Sequence, residues 1–147
     1  MPRGTRVSVR IEVRYEGELH TVATHGPSGA SLATDAPKDN EGRGEAFSPT
    51  DLLATALGTC MLTVMGIYAR RKGWELEGAR VNVDKHMTAE PVRRVGRLAL
   101  RFEMPAGLPE EAKKPLERAA HTCPVHQSLH PDLEIETVFS WGTVLRV

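Results

Sequence analysis

The sequence predicts an α+β protein with antiparallel sheets around a long central helix. Two segments, Arg6 to Tyr15 and Arg97 to Met104, alternate apolar and polar residues at a period of two. Between them lies a 25-residue apolar stretch, Ser48 to Lys72, with helical spacing and helical end signals. Taken in order, the elements read βββ–α–ββ–α–β, a segregated pattern rather than a regular βαβ alternation.

The first strand is RVSVRIEVRY. Val7, Val9, Ile11, Val13 and Tyr15 point one way and the polar residues the other, as in a half-buried strand. A turn at Glu16-Gly17-Glu18 leads into a second strand over Leu19 to Thr24, its hairpin partner. The turn HGPSG then precedes a short third strand, Ala30 to Thr34. Asp35 to Ala46 is polar and glycine-containing, without periodicity, and reads as a loop.

The central helix has a clear beginning and end. Ser48 suits the N-cap, Pro49 the first helical position, and Asp51 a short capping box. Phe47, just before the cap, is placed to staple against Leu53. Arg70, Arg71 and Lys72 suit the negative helix end, and Gly73 stops it. Leu53, Leu57, Cys60, Val64 and Ile67 recur at steps of three and four, so Cys60 is expected on the buried stripe. On this ground alone Cys60 is a core thiol, since free cysteine is among the most buried residue types.

Trp74 to Lys85 and Arg97 to Met104 read as a long antiparallel pair, with a turn at Glu90-Pro91. Pro109 to Ala120 reads as a helix with acids early and bases late, broken or kinked at Pro115. Leu133 to Trp141 is a closing strand.

Cys123 has the sharper local environment. Pro124 opens a helical turn, which places Cys123 at an N-cap where backbone N–H groups favour thiolate. His121 and His126 flank it. A reactive thiol and an inert one on a connecting helix both remain open at this point. Together with His130 and Cys60 these residues could also bind zinc, but the spacing fits no usual finger pattern and there is no CxxC pair. No metal or cofactor is therefore expected. His20, His25 and His86 fall in strands or turns and read as ordinary surface.

Composition sets outer bounds. A chain of 147 residues suits a single domain over 1–147. Acidic and basic residues balance at 19 each, so no basic field points to nucleic acid. No apolar run is expected to reach the ~20 residues that span a bilayer. The N-terminal MPRGTRVSVRIEV lacks an apolar h-region and a cleavage site. Two cysteines are too few for a secreted disulfide scaffold. The expected location is the cytoplasm, with no membrane partner.

FSPTDLLATALGTCM, followed some sixty residues later by HTCPVHQSL, resembles the OsmC/Ohr family of osmotically inducible and organic-hydroperoxide-resistance proteins. The likeness is greatest to the OsmC-like branch with SPxxLLxxALGxC and CPVxxxL, and it extends over nearly the whole chain. The resemblance implies an intertwined homodimer with the central helices at its core. It implies thiol-dependent reduction of organic hydroperoxides, with Cys60 peroxidatic, Cys123 resolving and an external dithiol as reductant. It also implies an arginine that stabilises the Cys60 thiolate, because a mid-helix cysteine gets no help from its own helix terminus. Arg43, in the loop EGRGE, is the candidate, with Glu45 to orient it. The active branches carry Pro-Glu at the helix start; here Pro49-Thr50 stands there, and Asp51 is the nearest carboxylate. The alternative is a non-catalytic relative that binds a small hydrophobic molecule at the dimer interface.

Overall fold

A computed structural model describes residues 8–142. The chain divides into two compact units, one running to Leu52 and the other beginning at Leu53. The expected strand residues Arg6 and Val7 lie outside the described residues.

The first unit is a three-stranded antiparallel sheet of β1 (Ile11–Gly17), β2 (His20–His25) and β3 (Ser31–Asp35), in that order. Glu18 and Leu19 make the β1–β2 turn with positive φ. The predicted alternation of β1 is present, but the expected burial is not. Ile11, Val13 and Tyr15 are 57%, 61% and 66% exposed. Among the described residues of this unit the buried ones are polar: Thr34, Asp35 and Ser48. A period of two shows that a strand has an apolar face; it does not show what covers that face. After β3 the loop is irregular apart from one 3-10 turn, Lys38–Asn40.

Helix α1 spans Pro49–Lys72. Its start is a reciprocal capping box: the Ser48 N–H donates to Asp51 Oδ2 at 2.9 Å, and the Asp51 N–H donates to Ser48 Oγ at 3.1 Å. Phe47, expected to staple the entry, is instead 54% exposed. At the other end Gly73 takes φ +75, and the Trp74 N–H donates to the Ala69 carbonyl.

The second unit holds the core. Strands β4 (Arg80–Thr88), β5 (Arg94–Glu103) and β6 (Glu134–Ser140) form a sheet with β5 in the middle. β4 pairs antiparallel to β5, as expected. β6 pairs parallel to β5, which corrects the expectation of purely antiparallel sheets. The physical reason is the connection: two helices between β5 and β6 carry the chain back before it re-enters the sheet. Leu98, Leu100 and Phe102 of β5 are buried, and Phe102 stacks on Phe139 of β6 at 4.5 Å between ring centroids.

The face that α1 turns to this core differs from the expected stripe. Its buried residues are Ala54, Leu57, Gly58, Met61, Met65 and Ala69, while Ile67 is 48% exposed and Cys60 is only half-buried. Gly58 explains the rotation. A Cβ at that position would meet Val83 Cγ2 at 3.0 Å and Val81 Cγ1 at 3.2 Å, so the missing side chain lets the helix approach β4. A search for apolar periodicity gives no weight to glycine, and α1 is apolar on nearly every side. For the same reason, the expectation of no membrane-length apolar run needs correction. By length and composition α1 could cross a bilayer, with mean hydropathy 1.7 over its best 18 residues. Its buried residues nevertheless belong to the hydrophobic core of this unit.

Helix α2 covers Lys113–Ala120 after a 3-10 turn at Glu110–Ala112. Pro115, expected to break it, lies in the first turn, where no intrahelical N–H is required. Helix α3 covers Pro124–Ser128.

Candidate functional site

The second unit brings the two cysteines together. Cys60 comes from the middle of α1 and Cys123 from the start of α3. Both thiols are free, with Cys60 half-buried and Cys123 fully buried. Cys60 packs against the core cluster to which Cys123 belongs, close enough to perturb the Cys123 thiol.

Cys123 is the N-cap of α3, as its sequence predicts. Its backbone is extended, and its Sγ accepts the His126 N–H at 3.2 Å. These donors favour the thiolate, but they are not the largest influence on it. Burial pushes the Cys123 thiol above the ordinary thiol range, and the neighbouring Cys60 adds to the rise. The His126 and Val125 N–H groups oppose this but do not overcome it. In an apolar site the desolvation of a charged sulfur outweighs two backbone donors. Cys123 is thus held as a neutral thiol beside a more accessible Cys60.

The flanking histidines are engaged elsewhere. His121 Nδ1 lies 2.8 Å from the Glu117 carbonyl and its Nε2 lies 3.2 Å from Thr137 Oγ1. His126 meets His121 edge-on. His130 Nδ1 accepts the Asp132 N–H. Among the described residues no three histidine, cysteine or acidic side chains converge as metal ligands.

The remaining expected site residues lie in the first unit. Arg43 and Glu45 form an exposed ion pair at 3.8 Å. Asp51 is engaged by its capping bond to Ser48, and Thr50 Oγ1 turns to Ser48 Oγ at 3.2 Å. Arg43 and Glu45 line a cleft of about 500 Å³ together with Glu16, Glu18, His20 and Asp35.

This cleft holds a pair that sequence reading missed. His20 is no ordinary surface histidine: its Nδ1 lies 2.6 Å from Oδ1 of the buried Asp35. Asp35 Oδ2 accepts the Glu45 N–H at 3.0 Å. The His20 hydrogen bond holds the Asp35 carboxyl below its usual range, against the opposing effect of burial. The two residues are fifteen apart in sequence, and only the β2–β3 register makes them cross-strand neighbours.

Comparisons with known proteins agree with this architecture. Residues 42–138 match the family described as OsmC-like protein. A solved structure from Psychrobacter arcticus, provisionally described as an osmotic stress induced and detoxification response protein, is 40% identical. The match covers 94% of this chain and 100% of that one, with a TM-score of 0.86. An organic hydroperoxide resistance protein OsmC from Legionella pneumophila shares the fold at 17% identity and TM-score 0.74, over 92% of this chain and 98% of that one. An organic hydroperoxide resistance protein from Elizabethkingia anophelis does so at 14% identity and TM-score 0.76, over 95% and 100%. No curated protein matches. The two cysteine motifs lie within the matched segment, and the relative that is 40% identical spans almost the entire chain; the protein therefore belongs to the OsmC family.

Proposed function

We propose that this protein is a thiol-dependent peroxidase that reduces organic hydroperoxides, with Cys60 as the peroxidatic and Cys123 as the resolving residue. The observation that carries this reading is the placement of a half-buried thiol beside a fully buried one in the core of the same unit.

The chemistry follows from that asymmetry. The Cys60 thiolate attacks the distal oxygen of a hydroperoxide. The O–O bond breaks, and the departing alkoxide takes a proton to become the alcohol. Cys60 is left as a sulfenic acid. The sulfur of Cys123, losing its proton, then attacks the Cys60 sulfur and releases water. An S–S bond forms, and further oxidation of Cys60 is prevented. An external dithiol reduces that bond by thiol–disulfide exchange and is itself oxidised. In this reading Arg43 supplies the cation that favours the Cys60 thiolate, and Glu45 orients it. The part of Asp51 is confined to what its capping bond leaves available.

The protein acts as a homodimer in this proposal. The exposed row Ile11, Val13 and Tyr15 supports it, because a sheet with no buried apolar residue of its own needs an external cover. Light scattering is expected to return twice the chain mass, and Val13→Lys is expected to shift it toward the monomer. The cytoplasm is the proposed location.

The decisive experiment is a thiol count by intact mass before and after one equivalent of cumene hydroperoxide. Loss of both thiols with loss of two hydrogens, abolished by Cys60→Ser, is the expected result. Arg43→Gln is expected to slow it. Two persisting thiols would overturn the peroxidase reading. The second reading, a non-catalytic binder of a small hydrophobic molecule, would then stand; Thr50, turned to Ser48 where active branches carry glutamate, is the observation that favours it.

A further inference from the structure

Asp35 ties together both ends of the loop that carries Arg43. The loop leaves β3 at Asp35, makes the 3-10 turn Lys38–Asn40 and returns ahead of α1. The Asp35 N–H donates to the Phe47 carbonyl at 3.1 Å, and Asp35 Oδ2 accepts the Glu45 N–H at 3.0 Å. The other carboxylate oxygen lies 2.6 Å from His20 Nδ1 on β2. Ala36, the next residue, fixes the turn itself. Its N–H donates to the Leu19 carbonyl at 3.1 Å, and its carbonyl accepts the Gly44 N–H at 3.2 Å. A Cβ at Gly42 would overlap that same carbonyl, so the chain there is pressed against Ala36. Arg43 is thus the side chain between two glycines that are both set against Ala36.

Holding a loop in this way opposes folding on two counts. A carboxylate withdrawn from water loses its hydration, and Glu41 in the same turn takes φ +67 without being glycine. Little apolar burial offsets this, since the buried residues of this unit are polar. What results is a guanidinium on a fixed base, as a site residue requires. Asp35 and Arg43 line the same cleft, and their charges attract each other. We infer that Asp35 is a positioning residue for the proposed hydroperoxide reduction: braced by His20, it fixes the loop that presents the Arg43 guanidinium. The inference rests on the reading of Arg43 as the cation that favours the Cys60 thiolate. Asp35 acts through Arg43, not on substrate. The hydrogen bonds do the holding, rather than the negative charge. Asparagine in its place keeps an acceptor for the Glu45 N–H and an amide for His20, and alanine keeps neither.

The test uses the full chain carrying Cys123→Ser, in which Cys60 is the sole thiol. One readout is the rate of Cys60 alkylation by iodoacetamide near neutral pH, which follows its thiolate. The other is hydrogen exchange at the Gly44 and Glu45 amides, which reports on the loop independently of any thiol. Arg43→Gln is expected to slow alkylation about tenfold, the lower end of the effect of a neighbouring opposite charge, with both amides still protected. Asp35→Ala is expected to slow it equally and to expose both amides. Asp35→Asn is expected to stay close to the parent in both readouts. Asp35→Ala combined with Arg43→Gln is expected to be no slower than either alone, because residues acting through one guanidinium are not additive. Should Asp35→Ala fail to fold, His20→Ala releases the same carboxylate more mildly and is judged by the same outcomes. With Arg43→Gln slow, the inference alone is overturned in three cases: if Asp35→Ala exposes the amides without slowing alkylation, if Asp35→Asn is as impaired as Asp35→Ala, or if the losses multiply in the double variant. If Arg43→Gln itself reacts like the parent, the reading of Arg43 falls and the inference falls with it.

Discussion

Cys60 and Cys123 lie sixty-three positions apart in sequence and are neighbours in the core of the second unit, one half-buried and the other sealed from solvent. This asymmetry separates their oxidation products. In Cys123→Ser, hydroperoxide is expected to add oxygen to the chain rather than remove two hydrogens, because no thiol remains to condense with the Cys60 sulfenic acid. Intact mass over time distinguishes the two. A covalent dimer of twice the chain mass less two hydrogens would instead show Cys60 condensing with the thiol of another chain.

The raised pKa of Cys123 also predicts a pH dependence of stability. The folded state holds this proton more tightly than the unfolded chain does. The corresponding stability is fully present below the unfolded thiol's pKa and is lost as pH rises through the folded value. Denaturant midpoints measured up the alkaline side should fall less steeply in Cys123→Ala than in the parent, whatever the variant's stability at neutral pH.

Asp35 predicts the opposite limb. Its carboxyl is lowered chiefly by the His20 hydrogen bond, so its contribution is present above the unfolded carboxyl pKa and lost as pH falls through the folded value. His20→Gln removes the main cause. Its acid unfolding is expected to begin at higher pH than the parent's, and Asp35→Asn to flatten that limb, in titrations from about pH 6 to 3.

Gly58 makes a packing prediction. Val81 and Val83 stand where a side chain would go, and β-branched residues in a strand have little freedom at χ1. Gly58→Val is therefore expected to cost about 1–3 kcal/mol in chemical denaturation, the usual range for overpacking. Gly66→Ala, at a position with open space, is expected to stabilise the helix by a few tenths to about 1 kcal/mol.

The sequence by itself determined the local structure and the chemistry on offer. The bounds of α1, its Ser48–Asp51 capping box, the N-cap at Cys123 and the alternation of β1 and β5 are each set by interactions within a few residues. The two cysteine motifs were equally legible, and with them the family. The tertiary structure decided what depends on distant partners. It set which face of α1 is buried, because that turned on Gly58 meeting two valines of β4. It made β6 parallel to β5, since strand direction depends on the path between strands. It joined His20 to Asp35 across a register. It also set the balance at Cys123: the helix-end donors are local and visible in sequence, but the burial that outweighs them comes from the packing of the whole unit.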